Sequence, residues 1–344
     1  MSPEDRNRYA RQIVLPGVGE AGQAKLSATS VLIVGCGGLG NPAAVYLTGA
    51  GIGELTLVDG DKPTVSNLHR QVFFREGETD TKADALATHC RSLNPGTRVR
   101  AVNEYLEVGN VKALVQAADI VLDCTDDAVT KHLLSDACHL LRKPLVYAAA
   151  QVFEGYLALF PNDTAKSIHL RDLFPEPDPT LPDCATTGVL NTAVGTIGML
   201  QANAALTFLL GIGTPPIDTL LTYNLLDNRQ HRLKIKKQYD KVILPPWGVG
   251  GEKRASLETD DFELARYDLV FTMLDEQREP EPAADVIRLT KRNPYGQCVE
   301  RMTPEGEYLI YCNSGKLSLM LASQLQKAGF AALSLRGGLV AFGR

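Results

Sequence analysis

The sequence predicts an α/β protein with a doubly wound, mainly parallel, Rossmann-like sheet that antiparallel strands extend. Short apolar runs alternate with helical segments over residues 31–150, which is typical of parallel strands joined by crossover helices. From Glu154 the stretch GYLALF alternates in polarity instead, which indicates antiparallel sheet. Residues 258–344 restart with strands and a helix of their own, so a small second α/β domain should follow.

Length and composition agree with this division. A chain of 344 residues suits two domains, which we place at 1–239 and 258–344, with a linker at 240–257 rich in Pro, Gly and charge. The net charge of −5 does not indicate nucleic acid or an anionic membrane as a partner. The N-terminus lacks the apolar core of a signal peptide. The 7 cysteines contain no C-x-x-C pair, which favours a reducing cytoplasm over a disulfide framework.

The elements follow in order. We expect helices at 4–16, 20–29, 41–50, 82–93, 111–117 and 128–141, strands at 31–34, 54–58, 97–102, 119–123 and 144–150, and a terminal hairpin of 218–225 with 231–237. The apolar stretch 187–211 carries Asn191, Thr192, Gln201 and Asn203, which favours a buried helix over a membrane span.

The first strand runs into the loop G-C-G-G-L-G, with Gly35, Gly37, Gly38 and Gly40. Glycines allow a phosphate close to the backbone, and the helix that follows offers free N–H groups at its N-terminus. Asp59 ends the second strand, 19 residues after the last glycine, where an acid can bind ribose hydroxyls. The unit therefore predicts a nucleotide site.

The residues beyond the second strand bear on which nucleotide binds. Spacing in the glycine loop alone fits NAD best. Asp61, Asn67, Arg70 and Gln71 then place polar and cationic groups beside the site. A guanidinium bridges phosphate oxygens well, so this segment favours a triphosphate. Asp126 follows another buried strand and should face the same crevice, because ligands bind at the carboxyl ends of parallel strands.

Several motifs together resemble one family. They are RYARQIVLP, GCGGLG, DGDKPTVSNLHRQ, Lys82, DCTDD and PDCATTGVL. In this order, over about residues 8–237, they resemble the MoeB/ThiF/HesA superfamily, relatives of ubiquitin-activating enzymes. The resemblance implies a cytoplasmic homodimer that uses ATP and Mg²⁺ to adenylate the C-terminal Gly-Gly carboxylate of a small ubiquitin-like sulfur-carrier protein.

The resemblance also implies roles for residues. Asp59 would hold the ribose, with Asp61, Gln71 and the loop glycines around the nucleotide. Asn67, Arg70 and Lys82 would bind phosphates, Asp126 would bind Mg²⁺, and Arg11 would reach across the dimer interface into the partner's site. Structural alternatives exist: Lys82 as a solvated charge, Asp126 and Asp127 as turn and N-cap acids, and Gln71 as a strand cap. Relatives often carry Asp-Asn where this chain has Asp126-Asp127.

Cys184 falls on a loop that crosses the active site in the family. By the resemblance it could form a thioester or persulfide link to the carrier, since a thiol near cationic groups is reactive. Its alternative is a small buried side chain.

The family's zinc site is missing from this sequence. Relatives usually place C-x-x-C ahead of the LFPEP segment and again near residue 240, but here the first pair falls on His169 and Asp172 and the second has no cysteine. Because a closed structural site needs four such ligands, we expect no structural zinc, and we expect apolar packing to fix that hairpin instead.

The C-terminal part resembles a rhodanese-like domain. Cys312 heads the loop to Ser318 at a strand-to-helix turn, where loop N–H groups stabilise a thiolate or persulfide. The resemblance makes Cys312 a candidate catalytic sulfur carrier, charged by a persulfide donor such as a cysteine desulfurase. Active relatives commonly carry a basic residue where Leu317 stands, and the segment 274–279 is degenerate. The domain could therefore only dock a partner.

Three alternative functions stay open on sequence grounds. The glycine loop alone would suit an NAD-dependent oxidoreductase. A peptide-modifying adenylating enzyme would share the ATP residues and use the rhodanese-like domain only for docking. A non-catalytic binding module would keep the fold and lose the reaction.

Overall fold

The computed structural model describes residues 2–175 and 188–239 and, further on, 257–274, 279, 283, 286–290, 294–303, 305–327 and 330–341. The chain divides into two compact units, Met1–Trp247 and Gly248–Arg344. The predicted linker falls almost entirely outside the described residues.

The first unit is built on an eight-stranded sheet in the order β3-β2-β1-β4-β5-β6-β7-β8. Its strands are β1 (Ser30–Val34), β2 (Glu54–Val58), β3 (Arg98–Val102), β4 (Ile120–Asp123), β5 (Leu145–Gln151), β6 (Glu154–Phe160), β7 (Thr219–Asn224) and β8 (Arg229–Lys234). Strands β1 to β5 pair in parallel, and β6 to β8 are added antiparallel. The predicted fold class is confirmed.

The helices of this unit are α1 (Pro3–Arg8), α2 (Ala10–Ile13), α3 (Gly19–Ser27), α4 (Gly40–Ala50), α5 (Lys82–Leu93), α6 (Val108–Gln116), α7 (Ala128–Leu140) and α8 (Asn191–Leu210). Most bounds lie within one to three residues of the sequence prediction. Alternate residues of β1 enter different apolar clusters, with Val31 and Ile33 in one and Leu32 and Val34 in the other. The strand is therefore buried on both faces, as parallel sheets require.

The prediction of one N-terminal helix over 4–16 is wrong. The helix breaks at Tyr9, whose φ of −98° and ψ of 12° leave the helical region, and α2 ends at Ile13. The break has a tertiary cause, because the buried Tyr9 hydroxyl accepts a 2.8 Å hydrogen bond from the Asn94 side chain.

Helix α8 has the length and mean hydropathy, 1.5, of a possible membrane span, and half of its apolar window is buried inside the protein. Its Gln201 side chain donates to the main-chain oxygens of Asp123 and Val146 at 2.9 and 2.8 Å. These bonds to two strands are what a core helix makes, as the polar residues of the stretch predicted.

The second unit contains a five-stranded sheet in the order β11-β10-β12-β13-β9. Its elements are β9 (Glu258–Thr259), β10 (Leu269–Thr272), β11 (Val286–Arg288), α9 (Pro294–Val299), β12 (Glu307–Tyr311), α10 (Lys316–Lys327), β13 (Ala331–Leu335) and α11 (Gly338–Ala341). The strand pairs are parallel, so this unit is also of the α/β class.

Candidate active site

Three strand ends form the floor of the candidate site. Val34 of β1 pairs with Val58 of β2 and with Asp123 of β4, so the loops that follow the three strands start side by side. The N–H groups of Gly35 and Cys124 continue the ladder, donating to Val58 and Val34 at 2.8 Å. The structure thus brings the glycine loop, Asp59 and the 124–127 segment to one edge of the sheet, as the sequence predicted.

The glycine loop leaves no room for side chains. Gly35 has φ +92°, and a Cβ there would lie 2.5 Å from the Cys124 carbonyl oxygen. A Cβ on Gly40 would lie 2.0 Å from the Gly35 oxygen, and one on Gly38 would lie 2.5 Å from Val194 Cγ1 of α8. These approaches explain why glycines occupy these positions, and they leave the loop surface as bare backbone.

Asp59 anchors the loop. Its carboxylate accepts the N–H of Cys36 at 2.7 Å and the N–H of Asp61 at 2.9 Å. Burial raises the pKa of Asp59, and the positive charge of Lys82 partly offsets this rise. Because each carboxylate oxygen can accept more than one hydrogen bond, Asp59 keeps capacity for a ribose hydroxyl.

Lys82 is not a solvated charge, so that alternative is wrong. Its side chain is only 8% exposed at the start of α5, and its ammonium lies 2.9 Å from Asp61 Oδ2. An ammonium has three donors, and in the described part of the chain Asp61 is its one acceptor within hydrogen-bonding distance. A buried cation with unused donors is suited to an anionic ligand.

Arg70 lies on the segment after β2, and its carbonyl oxygen lies 3.4 Å from where a Cβ on Gly38 of the glycine loop would be. Its guanidinium donates to Asn67 Oδ1 at 2.8 Å and to the Ser66 carbonyl at 3.3 Å, and it contacts His69 Nε2 at 2.8 Å. None of these partners is anionic, and within the described ranges Arg70 makes no ion pair. Its positive charge remains available for phosphate oxygens.

Gln71 does not cap a strand, so that alternative is also wrong. The residue is buried and its side-chain amide nitrogen lies near Gly37. Its side-chain oxygen has no hydrogen-bond partner among the residues that the structure describes. A buried acceptor without a donor is costly. Its position beside the glycine loop agrees with a role in the nucleotide site.

The two adjacent acids after β4 differ in environment. Asp127 caps α7, accepting the N–H and the hydroxyl of Thr130 at 2.7 and 2.6 Å, so the structural interpretation holds for Asp127. Asp126 is exposed at the edge of the sheet, where its carboxylate is accessible to a cation.

Lys131 and Asp123, at the end of β4, form a buried ion pair that the sequence did not predict. Lys131 of α7 contacts Asp123 Oδ1 at 3.2 Å and the Ala148 carbonyl at 2.7 Å. Asp123 Oδ2 is buried and accepts no hydrogen bond from the described part of the chain. Eight positions separate the two charges, and no local pattern marks such a pair as buried.

These residues fit ATP. The buried Lys82 ammonium, the Arg70 guanidinium, which makes no ion pair with the described residues, and the bare loop backbone all favour phosphate. Fewer of these residues could bind Mg²⁺. Among the described residues no group of three or more His, Cys, Asp or Glu side chains could hold a metal ion. Mg²⁺ is commonly bound by one or two carboxylates together with phosphates and water, and Asp126 can supply one such carboxylate.

Two predicted site residues remain predictions. Arg11 is exposed on α2, and its predicted role involves a second copy of the chain. Cys184 lies in 176–187, outside the described residues.

Apolar packing and polar contacts together hold the 169–172 segment to the terminal hairpin. Leu170 and Ile235 lie in one buried apolar cluster, as expected, and the polar contacts add to it. Asp172 is buried and its carboxylate accepts the N–H groups of Gln238 and Tyr239 at 2.6 and 2.7 Å. It also pairs with His169 Nδ1 at 2.9 Å and Lys237 Nζ at 3.2 Å. One acid and one imidazole beside an ammonium do not fit a zinc ion.

Cys312 of the second unit heads the loop between β12 and α10, as predicted. Its buried sulfur lies 3.4 Å from the Ser318 hydroxyl, which in turn accepts from Ser334 at 2.8 Å. Leu317 is 41% exposed. Of the degenerate segment, Glu279 is described, and its carboxylate accepts from the Thr272 and Tyr311 hydroxyls at 2.8 and 2.7 Å.

The sheet order, the glycine loop and the cations together define a doubly wound α/β protein with a candidate site for a nucleotide phosphate chain. The sequence profile of the ThiF family matches residues 9–242, and the chain belongs to this family. Membership confirms the MoeB/ThiF resemblance and argues against the NAD-dependent alternative.

Curated relatives carry consistent names. The chain is 38% identical to the sulfur carrier protein adenylyltransferase of Thermus thermophilus, over 76% of this chain and 96% of that protein. It is 42% identical to the SAMP-activating enzyme E1 of Haloferax volcanii, over 71% of this chain and 90% of that one. The adenylyltransferase and sulfurtransferase uba4 of Pyricularia oryzae is 42% identical, but the match covers 59% of this chain and 43% of the relative.

Solved structures agree on the fold. E. coli MccB superposes with a TM-score of 0.60 at 20% identity, covering 68% of this chain and 71% of its own. PaaA gives 0.59 at 20% identity, covering 69% and 76%. At this identity the likeness establishes the shared fold.

Proposed function

We propose that the chain adenylates the C-terminal Gly-Gly carboxylate of a small ubiquitin-like sulfur-carrier protein, using ATP and Mg²⁺. The observation that carries the proposal is the buried Lys82 ammonium beside the glycine loop, with donors unused by the described residues. The names of the Thermus and Haloferax relatives support the choice of a protein carrier as substrate.

The reaction needs little covalent chemistry from the protein. The carrier's carboxylate attacks the α-phosphorus, the bond to the β-phosphate oxygen breaks, and an acyl-adenylate and pyrophosphate result. Catalysis then depends on positioning and on stabilising the charge that develops on the phosphate oxygens. Lys82 and Arg70 would supply positive charge, Asp59 would orient the ribose, and Asp126 would offer its carboxylate to Mg²⁺.

The remaining assignments complete the proposal. The adenylation domain spans 1–239 and the rhodanese-like domain 258–344, joined by the linker 240–257. The protein acts in the cytoplasm as a homodimer in which Arg11 reaches the partner's site.

The second domain would deliver sulfur. The terminal sulfur of a Cys312 persulfide attacks the acyl-adenylate carbonyl and displaces AMP, which gives an acyl disulfide. A second thiol, for which Cys184 is the candidate, then cleaves the S–S bond and releases the thiocarboxylate. This cleavage leaves a disulfide between the two cysteines, which an external thiol reductant has to reduce. A cysteine desulfurase is the class of donor that could then transfer a new sulfur to the Cys312 thiol.

The test is carrier-dependent exchange of pyrophosphate into ATP. The purified chain is incubated with ATP, Mg²⁺ and a panel of small proteins ending in Gly-Gly, and products are identified by mass spectrometry. Carriers without the last glycine serve as controls. We expect exchange and an acyl-adenylate with at least one Gly-Gly carrier. Binding of a nicotinamide nucleotide in place of ATP would contradict the proposal.

The alternative is a peptide-modifying adenylating enzyme whose second domain only docks a partner. The exposed Leu317, at the position where active relatives carry a basic residue, is the observation that favours it. This alternative predicts exchange with short peptides and none with Gly-Gly carriers, so the same panel, extended with peptides, separates the two.

A further inference from the structure

Tyr105 connects the end of β3 to the candidate phosphate site. Its hydroxyl donates a 2.5 Å hydrogen bond to Asp61 Oδ1. The other oxygen of the same carboxylate lies 2.9 Å from the buried Lys82 ammonium. Asp61 therefore bridges a tyrosine hydroxyl and the lysine that we assign to the phosphates.

The bridge continues into the glycine loop. The Asp61 N–H donates to Asp59 Oδ1 at 2.9 Å, and the Cys36 N–H donates to Asp59 Oδ2 at 2.7 Å. The Lys82 N–H also donates to the Asp61 carbonyl at 2.9 Å. Hydrogen bonds thus connect the glycine loop to Asp59, Asp59 to Asp61, and Asp61 to both Lys82 and Tyr105.

The phenol ring is held where it can fix Asp61. A Cβ on Gly60 would lie 2.9 Å from the Tyr105 ring, so the ring packs directly on the glycine backbone. The Tyr105 carbonyl accepts from the Asn110 side chain at 2.8 Å, which fixes the loop that carries the ring. The Asp61 side chain itself is 43% exposed, and the Tyr105 hydroxyl, on the oxygen opposite Lys82, helps to fix the orientation of its carboxylate.

The hydroxyl also weakens the competition between Asp61 and a phosphate. A carboxylate that accepts a strong hydrogen bond on one oxygen is less basic and holds a cation less tightly through the other. Without this bond the Asp61 carboxylate would hold the Lys82 ammonium more tightly. The contact between Lys82 and a bound phosphate would then weaken.

We propose that Tyr105 is a positioning residue that acts through Asp61 to hold the Lys82 ammonium for the phosphates of ATP. The inference rests on the proposed function of the first unit.

A double-mutant cycle on the full-length chain tests it. Tyr105→Phe, Asp61→Asn and the double variant are compared by calorimetric ATP binding without carrier and by KM and kcat for ATP in carrier-dependent exchange. Tyr105→Phe keeps the ring on Gly60 and removes only the donor. We expect ATP binding to weaken about tenfold, as for one hydrogen bond to a charged group, with KM rising and kcat changing less than about twofold.

The double-mutant cycle shows whether Tyr105 acts through Asp61. If Tyr105 acts through Asp61, the Tyr105→Phe change should cost less than about twofold in the Asp61→Asn background, because coupled residues are not additive. Tyr223→Phe, which loses a hydrogen bond to Asn228 on a distant hairpin, is the control and should bind ATP normally.

Three results would separate the possible failures. Unchanged or tighter ATP binding by Tyr105→Phe overturns the role of Tyr105. Full additivity of the two changes overturns its action through Asp61. Absence of ATP binding by the unaltered chain instead overturns the proposed function, independently of Tyr105.

Discussion

The Asp172 carboxylate lies 3.2 Å from the Lys237 ammonium and joins two segments that are far apart in sequence. It accepts the main-chain N–H groups of Gln238 and Tyr239 just after β8, and the N–H of His169 at 3.0 Å. The sequence lacks the cysteines with which a zinc ion would join these two segments. Here a carboxylate and an ammonium make the same connection with hydrogen bonds.

Removing the carboxylate should be costly. Asp172→Asn replaces a buried acceptor of several N–H groups with an amide that presents its own N–H groups to them and leaves Lys237 unpaired. We expect the free energy of unfolding to fall by about 3 kcal/mol, as for a broken buried ion pair. Urea unfolding measures this loss, with Asp227→Asn, from an exposed pair with Arg229, as the control that should change it by less than about 1 kcal/mol. Bound zinc whose removal lowers the unfolding temperature would contradict this account.

The same junction predicts acid sensitivity. Burial, together with the positive charge of Lys237, lowers the pKa of His169 to about 4. The unfolded chain therefore takes up a proton near the ordinary histidine pKa that the folded chain cannot accept, so stability falls as the pH falls through that region. Between about pH 7.5 and pH 5.5 we expect a loss of about 1 kcal/mol.

His169→Asn provides the control, because the asparagine nitrogen can still donate to Asp172 and does not titrate. Its stability should change less over the same pH interval. An equal loss in both proteins would assign the effect to other groups, such as His139, which stacks on His169 at 4.5 Å and whose pKa burial also lowers.

The elements that the sequence predicted well are those with local signals. The strand Glu54–Val58 and the helix Lys82–Leu93 match the prediction residue for residue, since apolar spacing and the Thr81 N-cap mark them. Contacts between distant residues left no such signal. Asp172 receives donors from residues 65 to 67 positions away, and Tyr105 meets Asp61 across 44 positions, so sequence patterns could not reveal either role.

Asp126 and Asp127 should respond differently to the same change. Asp126→Asn removes the carboxylate assigned to Mg²⁺, and we expect carrier-dependent exchange to be lost while the unfolding temperature stays the same. Asp127→Ala removes the cap of α7 and should cost about 1 kcal/mol of stability with exchange largely kept. Exchange rates and urea unfolding of both variants check this. Unchanged exchange in Asp126→Asn would remove Asp126 from the site.

Two glycines of α4 offer a matched pair. Gly40→Ala places a Cβ 2.0 Å from the Gly35 carbonyl oxygen, whereas a Cβ on Gly49 meets nothing within 4 Å. Gly40→Ala must therefore displace the glycine loop, and we expect ATP binding to weaken at least about tenfold. Gly49→Ala should bind ATP normally and gain up to about 1 kcal/mol of stability, because alanine favours a helix. Calorimetric ATP binding and thermal unfolding measure both effects, and normal ATP binding by Gly40→Ala would show that the loop does not contact the nucleotide.

Cys312 separates the two proposed reactions. Cys312→Ser keeps the loop between β12 and α10 and removes the sulfur that would carry the persulfide, so pyrophosphate exchange should continue at the unaltered rate while thiocarboxylate formation stops. Cys298→Ala, which changes a buried core cysteine of the same unit, is the control and should retain both reactions. Mass spectrometry of the carrier after incubation with ATP and a persulfide donor detects the added sulfur. Thiocarboxylate formed at full rate by Cys312→Ser would make the second unit a docking domain, as the exposed Leu317 favours.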